Sequence, residues 1–563
     1  MRGMRHNRNG CAFFVSSGRV YIMRHILLFV LLLTVLPARS AETLRNGERA
    51  RDALLGAKAN MEAWMREADA ESGLLPKYLR WHPSYDLGKA LYMVKDSAAD
   101  LYPFLVLTSY YLDPACYRGE MLGMLRQEIL LTTGANGLPQ DAAFQPFRLI
   151  EDGLGARIFG ASEYCKDGLT PVLELLGSTP WSDRLIDLVE AIYRAAPVHT
   201  VYGDLPSGSA EINGEMLQTL CRLYGFTGEE RYLERARAMG DAYFFEVLPL
   251  NHGLPSHQWD FEQHRGEDLL NLRDHGCEII SGLSLLLALE HERGDERARL
   301  YLAPMKYMLE RLELTLNEDG QFPNRIRCSD LEVLRPQLND NWGYLYTAWW
   351  NLYLVTGEVR FRDRIEHALR SITKYRNAEW EGSGGADGYA DSIEGCLQML
   401  NRIPVESAFD WVETETARML AMQREDGSIE GWYGDGNWNR TGLMYALYKT
   451  QGCTIDPWRA DVLLGAVREG DTLKVTVKTE REWHGSLRFD APRHRTVFNF
   501  QRNYARINEF PEWSAVAPMQ LYELIDEGSG LRQRRLGAEL IQGLALDIES
   551  GAERRLLLTG LNE

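Results

Sequence analysis

The feature that most constrains this chain is a turn that recurs at the spacing of a helical hairpin. A glycine followed two or three residues later by proline appears at Gly73-Leu74-Leu75-Pro76, Gly137-Leu138-Pro139, Gly203-Asp204-Leu205-Pro206, Gly253-Leu254-Pro255 and Gly320-Gln321-Phe322-Pro323. The prolines lie 63, 67, 49 and 68 residues apart. Asp426-Gly427-Ser428-Ile429-Glu430 repeats the loop without the proline. A second repeat alternates with the first: Leu223-Tyr224-Gly225-Phe226-Thr227-Gly228-Glu229-Glu230-Arg231-Tyr232 is echoed by Leu352–Phe361, with a reduced copy at Gly294-Asp295-Glu296-Arg297. Glycine there ends one helix in the left-handed conformation and the acids open the next. Each unit therefore reads as helix, tight turn, helix, long loop. Tetratricopeptide arrays repeat at about 34 residues, half of what is seen, so the expectation is a closed (α/α)6 or (α/α)7 toroid. The proline loops should share one end of it and the Thr-Gly-Glu turns the other.

The pattern changes after Trp458. Asp461–Val467, Thr472–Thr479, Gly485–Phe489, Thr496–Phe500 and Arg554–Leu558 alternate or are β-branched, with turns at Gly470-Asp471 and Ala491-Pro492. Residues 459–563 are expected to form a small antiparallel β-sandwich packed on a toroid of 41–458. At the other end, Ile26–Leu36 is aliphatic, follows Arg24 and precedes Pro37-Ala38-Arg39-Ser40-Ala41. That run is too short for a bilayer but suits a signal peptide over 1–40, cleaved after Ser40. Met23 is the more natural initiator, so the expectation is that 1–22 are a start-site artefact. Export to the periplasm or medium is the expectation, with no membrane insertion after cleavage.

Charge narrows the partners. The chain carries 62 Lys and Arg against 80 Asp and Glu, a formal −18. Residues 1–40 hold six arginines and no acid, so the chain from Ala41 carries −24. Nucleic acid is an unfavourable partner for such a surface. The seven cysteines beyond Cys11 are odd in number, show no metal-ligand spacing and sit mostly among apolar residues. No P-loop, Rossmann glycine signature, HExxH or EF-hand loop is present, so no cofactor or metal is implied.

In a toroid, the long loops and the first turns of the inner helices converge on one funnel, and ionisable residues there are the candidates for chemistry. Arg273-Asp274-His275-Gly276-Cys277-Glu278 opens a very apolar helix, with Asp274, His275 and Glu278 on one face. Asp387, Asp391 and Glu394 share a face at i, i+4 and i+7, so at least one carboxyl should be hard to ionise. These place Asp274, His275, Glu278 and Asp391 as candidate catalytic groups. The loop Gly431–Arg440 interleaves Trp432, Asp435, Asn437 and Arg440, which suits a pyranose face and its hydroxyls. Asn213, Glu215, Asp340, Trp342, Tyr344, Asp387 and Tyr389 complete the candidate substrate contacts. Asp96, Asp100, Tyr102, Glu163, Tyr164, Lys166 and Asp167 are weaker candidates, equally suited to capping or packing.

The hairpin period, the Gly-x-Pro loops and the acidic, aromatic inner-helix starts over 42–452 resemble the six-hairpin glycosidase-like class. That class comprises exported α/α-toroid glycoside hydrolases and polysaccharide lyases, often with an appended β-sandwich. The resemblance implies an enzyme acting on a poly- or oligosaccharide. Hydrolysis would use paired carboxylates, Asp274 or Glu278 with Asp391. Elimination at a uronate would use Asn213, His275 and Tyr344 or Tyr346. The acidic charge tilts toward hydrolysis, since a uronate polymer favours a basic cleft. A non-catalytic glycan-binding groove is the third reading.

Overall fold

The structure, a computed structural model, describes residues 18–79, 91–382 and 384–561, with side chains from Ala41 onward except Glu381. The apolar run Ile26–Leu36 lies outside the residues whose side chains are described, as does the expected cleavage position after Ser40. No described helix is long and apolar enough to cross a membrane.

Seven helical pairs close into a ring among the described residues. The inner helices are α2 (Tyr102–Leu112), α4 (Leu154–Glu163) continuing into α5 (Thr170–Leu176), α7 (Ala210–Thr227), α9 (Cys277–Arg293), α11 (Trp342–Thr356), α13 (Ala386–Arg402) and α15 (Asp435–Lys449). The outer helices are α1 (Gly18–Met65), α3 (Leu122–Thr132), α6 (Pro180–Ala195), α8 (Glu230–Ala242), α10 (Glu296–Glu313), α12 (Val359–Ser371) and α14 (Glu406–Leu420). Successive inner helices pack side by side, and the last, α15, packs against both α2 and α1. The first helix thus supplies the outer partner of the last inner one. Of the two expected closures, the sevenfold one is observed.

Inner and outer helices differ as their sequences require. In α9 every residue from Cys277 to Glu290 is buried, matching its run of Leu, Ile and Ala. In α12, Phe361, Ile365, Ala368 and Leu369 form one buried stripe, while Arg360, Asp363 and Arg370 face water. The turns fall where the repeats put them. Gly228, Gly294 and Gly357 end inner helices at φ of 71°, 69° and 73°. The proline loops all run from an outer helix to the start of the next inner one, so they share the ring's opposite end.

Beyond the ring lie β1 (Thr454–Asp456), β2 (Val462–Glu469), β3 (Thr472–Thr479), β4 (Trp483–Arg488), β5 (Leu521–Asp526), β6 (Arg532–Leu536), β7 (Leu544–Ile548) and β8 (Glu553–Gly560). They form two antiparallel sheets, ordered β2-β3-β8-β5-β6 and β1-β4-β7, around a separate core with Val475, Val477, Trp483 and Leu556. The sandwich is seated on α1, where Thr43 Oγ1 meets Thr476 Oγ1 at 2.7 Å. Thr496–Phe500, expected as a strand, is not one. Its Phe498 and Phe500, with Tyr504, Ile507 and Phe510, join the core of the helical ring instead. Their hydrophobic alternation serves a plug, not a sheet. Arg222 donates to the Ile507 carbonyl, and Asn351 Nδ2 to the Ala505 carbonyl at 3.1 Å.

Candidate functional site

At the end of the ring where the inner helices begin lies a cavity of about 370 Å³. All seven inner helices, or the turns that lead into them, supply side chains to it. Asp96 and Asp100 come from the wide helical turn Val94–Leu101 before α2, and Glu163 and Asp167 from the junction of α4 and α5. Glu211 and Glu215 come from α7, and Asp274, His275 and Glu278 from the entry to α9. Tyr344 of α11, Asp387 and Asp391 of α13, and Asn437 and Arg440 of α15 complete the circuit. Asn508 of the plug lines the same space. Ten carboxyl groups face four cationic side chains, Lys95, Lys166, Arg273 and Arg440. The formal charge of the lining is −6 with His275 neutral.

Two buried cations hold part of this charge. Arg440 donates to Asp391 Oδ1 at 2.7 Å and pairs with Glu394 at 2.5 Å. Tyr344 Oη and Asn341 Nδ2 also donate to Asp391, at 3.3 and 3.2 Å. Lys166 lies 2.7 Å from Asp167 and 2.6 Å from Glu278, and Gln218 Nε2 donates to Glu278 at 2.5 Å. Burial still pushes the Glu278 carboxyl up to about 7, against the lowering pull of Lys166. Asp387 is likewise pushed up to about 7, by burial and then by the charge of Asp391, while Asn437 donates to it at 2.6 Å. Asp391 itself is raised by burial, against the pull of Arg440.

Asp274 is held differently. It is a non-glycine residue at φ 57° and ψ −61°, close to the strained form of a γ-turn. Its N–H donates to Asn341 Oδ1 at 2.8 Å, and its carbonyl receives the Cys277 thiol at 3.3 Å. The carboxylate remains 45% exposed in the cavity, 3.6 Å from Arg273. Next to it, His275 Nδ1 is 2.6 Å from Glu211, which raises the imidazole against the opposing effect of burial. The His257 ring meets His275 edge-on at 4.3 Å and is lowered by burial and by that neighbour.

The arc of α2, α4 and α7 has fewer cations. Carboxylate oxygens of Asp100, Glu163 and Asp167 lie within 4.8 Å of one another, as do those of Glu163, Glu211 and Glu215. Burial and mutual repulsion raise Asp100, Glu163 and Glu215 well above the ordinary carboxyl range. Oxygen-only groups of this kind suit a hard cation.

Of the expected residues, the cavity brings together Asp274, His275, Glu278, Asp391, Glu215, Tyr344, Asp387, Asn437 and Arg440, and of the weaker candidates Asp96, Asp100, Glu163, Lys166 and Asp167. The others stand elsewhere. Asn213 is buried and donates to the Ser207 carbonyl at 2.8 Å and Tyr243 Oη at 3.3 Å, fixing a loop. Asp435 receives Trp64 Nε1, Asn60 Nδ2 and the N–H groups of Ile429, Glu430 and Gly431, an internal brace for the last loop. Asp340 accepts from Arg273 at 3.2 Å behind the cavity wall. Trp342 is core, bonded to Ser392, and Tyr389 lies against Arg418 on the outer side. Trp432 is half-buried outside the lining, and its neighbour Tyr433 supplies the aromatic surface instead. Tyr346 bonds the Gly320 carbonyl, and Tyr102 and Tyr164 are buried away from the cavity. Lys95, Phe159 and Asn508 lie in no stretch that the sequence singles out, while Glu211, Arg273 and Asn341 lie within such stretches but are not themselves assigned there. Glu211 had a usable signal, lying four residues before Glu215 at a helix start. Asn508 had none.

No family model matches the chain, and no curated protein matches it. Among solved structures it is similar to the α-1,6-mannanase of Salegentibacter sp. HEL1_6, at 15% identity and TM-score 0.40, over 57% of this chain and 96% of that one. It is similar to the cellobiose 2-epimerase of Bacillus thermoamylovorans B4167, at 13% identity and TM-score 0.38, over 59% and 89%. It is also similar to the unsaturated glucuronyl hydrolase of Bacillus sp. GL1, at 12% identity and TM-score 0.38, over 53% and 87%.

Proposed function

We propose that this chain is a carbohydrate-active enzyme that hydrolyses a glycosidic bond of a neutral poly- or oligosaccharide. The observation that carries the reading is the contrast between Asp387 and Asp274. Burial and the charge of Asp391 push the Asp387 carboxyl up to about 7, while the Asp274 side chain stands half-exposed in the same cavity. The charge of Asp274 is among those that raise Asp387, so the two act on one space. Asp387 is the general acid for the leaving oxygen, and Asp274 is the base or nucleophile. Asp391, clamped by Arg440, Tyr344 and Asn341, is a positioning residue that sets the acidity of Asp387. Tyr433 and Phe159 supply the aromatic part of the lining against which a pyranose would pack.

The acidic lining weighs against a uronate substrate, and an eliminating trio is not assembled, since Asn213 and Tyr346 bond elsewhere. A second reading has one observation in its favour. His275, coupled to Glu211 and His257, can move a proton at a sugar carbon, the chemistry of an epimerase or isomerase. Incubation with a panel of neutral and acidic glycans in deuterium oxide separates the readings. New reducing ends support hydrolysis. Deuterium on a sugar carbon without new ends supports epimerisation, absorbance near 235 nm means elimination, and binding alone means a lectin-like role. Export remains part of the proposal, resting on Ile26–Ala41. Mass spectrometry of the secreted chain should give Ala41 as its first residue.

A further inference from the structure

We propose that Glu163, Glu211 and Glu215 form a binding site for a hard divalent cation of the calcium class, beside the sugar cavity and distinct from the Asp387–Asp274 pair. The carboxylate oxygens of the three lie within 4.8 Å of one another. Oxygens bound to one calcium ion sit about 2.3–2.6 Å from it and so cannot be more than about 5 Å apart. The triad meets that condition before any ion is considered. A second triad, Asp100 and Asp167 with the shared Glu163, continues the arc.

An independent observation points to a missing partner. Glu215 is only 2% exposed, lines the cavity, and has one carboxylate oxygen, Oε2, with no hydrogen-bond donor. A buried, unsatisfied carboxylate oxygen is costly, and native structures pair nearly all such groups. The nearby cations are already engaged. Lys166 is shared by Asp167 and Glu278, His275 pairs with Glu211, and Lys95 stands over the Phe159 ring at 5.2 Å. Among the described residues, Glu163 and Glu215 have no ion pair. The donor set is all oxygen, with no thiolate or imidazole in the triad, which selects a hard ion over zinc or copper. Ligands on two different inner helices, facing an open cavity, tolerate the irregular coordination of calcium better than the strict octahedron of magnesium. Water or sugar hydroxyls from the cavity would complete the shell, so the ion would also help hold substrate.

The test is isothermal titration of the full-length protein, stripped with EDTA and desalted, with CaCl2 and in parallel with MgCl2 at pH 7.5. No substrate is present, so the outcome does not depend on the hydrolytic reading. One saturable calcium site, tighter than any for magnesium, is expected. Loss of an outer-sphere partner alone costs about 10–100-fold in metal affinity, so Glu215→Gln should weaken calcium at least that much. Its melting temperature in EDTA should be unchanged or higher, because a buried charge is removed. If that variant does not fold, Glu163→Gln makes the same test. Absence of saturable calcium binding up to millimolar concentration overturns the site. So does tighter binding of magnesium, or calcium affinity unchanged in the variants.

Discussion

Asp274 is the residue at which structure and chemistry conflict most openly. A positive φ on a non-glycine residue costs roughly 1–3 kcal/mol, and here Asn341 and Cys277 hold the backbone in place. Asp274→Gly should therefore raise stability by about 1 kcal/mol, after glycine's extra unfolded-state entropy, while abolishing turnover. Thermal melts beside reducing-sugar assays check both halves, and a destabilised variant would remove the strain argument. Asp387 makes a different prediction. As a general acid at about 7, it should impose an alkaline limb near that pH, and Asp387→Asn should cost about 10²–10⁴ in rate. Asp391→Asn removes a charge that raises Asp387, so the limb should move to lower pH. An unmoved limb in a pH–rate profile would assign it to another group, Glu278 being the next candidate. Residue type and helical spacing made this cluster legible: acids three or four apart at the start of an apolar helix point into a funnel. The same logic included Asn213 and Asp435, because their partners are far away in sequence. Asp435 is braced by Trp64 and Asn60, more than 370 residues earlier, and nothing local distinguishes a brace from a ligand.

Glycine lets inner helices approach closely at three crossings near the cavity. A Cβ on Gly343 of α11 would come within 2.4 Å of the Gly395 Cα of α13. One on Gly214 of α7 would lie 2.3 Å from the Ile279 nitrogen of α9, and one on Gly436 of α15 would lie 1.9 Å from the Asp100 carbonyl oxygen. These are backbone obstacles, which cannot rotate away. Gly343→Ala should cost about 1–3 kcal/mol or more through overpacking and should widen the spacing between Tyr344 and Asp391. Denaturant melts measure the first effect. Reduced kcat beyond what instability explains measures the second, and a variant with native stability and rate would show that the crossing relaxes freely. The repeat made the hairpins, their turns and the end carrying the proline loops legible, because each rests on local signals: a left-handed glycine, an acidic first turn, a fixed period. The number of hairpins was not legible. Closure depends on α1 pairing with α15 across almost the whole chain, and the proline loop is absent before α13.

At the scale of the whole molecule, the sandwich and the ring are tied together by the segment 493–513, which leaves the sandwich after β4 and packs into the core of the ring. A sevenfold ring leaves a wide axis, and the plug fills it with Phe498, Phe500 and Phe510, while its Arg506 reaches Glu174 at 3.1 Å and Glu509 at 2.9 Å. Removing that guanidinium leaves a fully buried Glu174 with Arg493, 4.0 Å away, as its one remaining ion pair among the described residues and the charge of Arg222 nearby, so Arg506→Met should cost about 3 kcal/mol. A near-native urea midpoint would show that the plug is not load-sharing. The same burial of charge sets the pH behaviour of the whole fold. Asp387, Glu278, Glu394 and Asp490 are all pushed up to about 7, chiefly by burial, from about 4 in an unfolded chain. Between those values the native state holds more protons than the unfolded state, so stability falls as pH rises through this window. His275, raised by Glu211, acts in the same sense, its contribution present at low pH and lost as pH rises. Carboxylates lowered by surface pairing, such as Glu358 and Glu190, oppose this only below about pH 4, where their stabilisation is lost. The melting temperature should therefore peak near pH 4–5 and decline toward pH 8, the reverse of a protein whose acids are mainly salt-bridged. Millimolar calcium should recover more of that loss at pH 8 than at pH 5, because the ion competes with protons for the raised carboxyls of Glu163 and Glu215. A melting temperature that rises between pH 5 and 8 without calcium would mean that these buried acids ionise at little cost, and would remove the electrostatic basis for Asp387 as the acid.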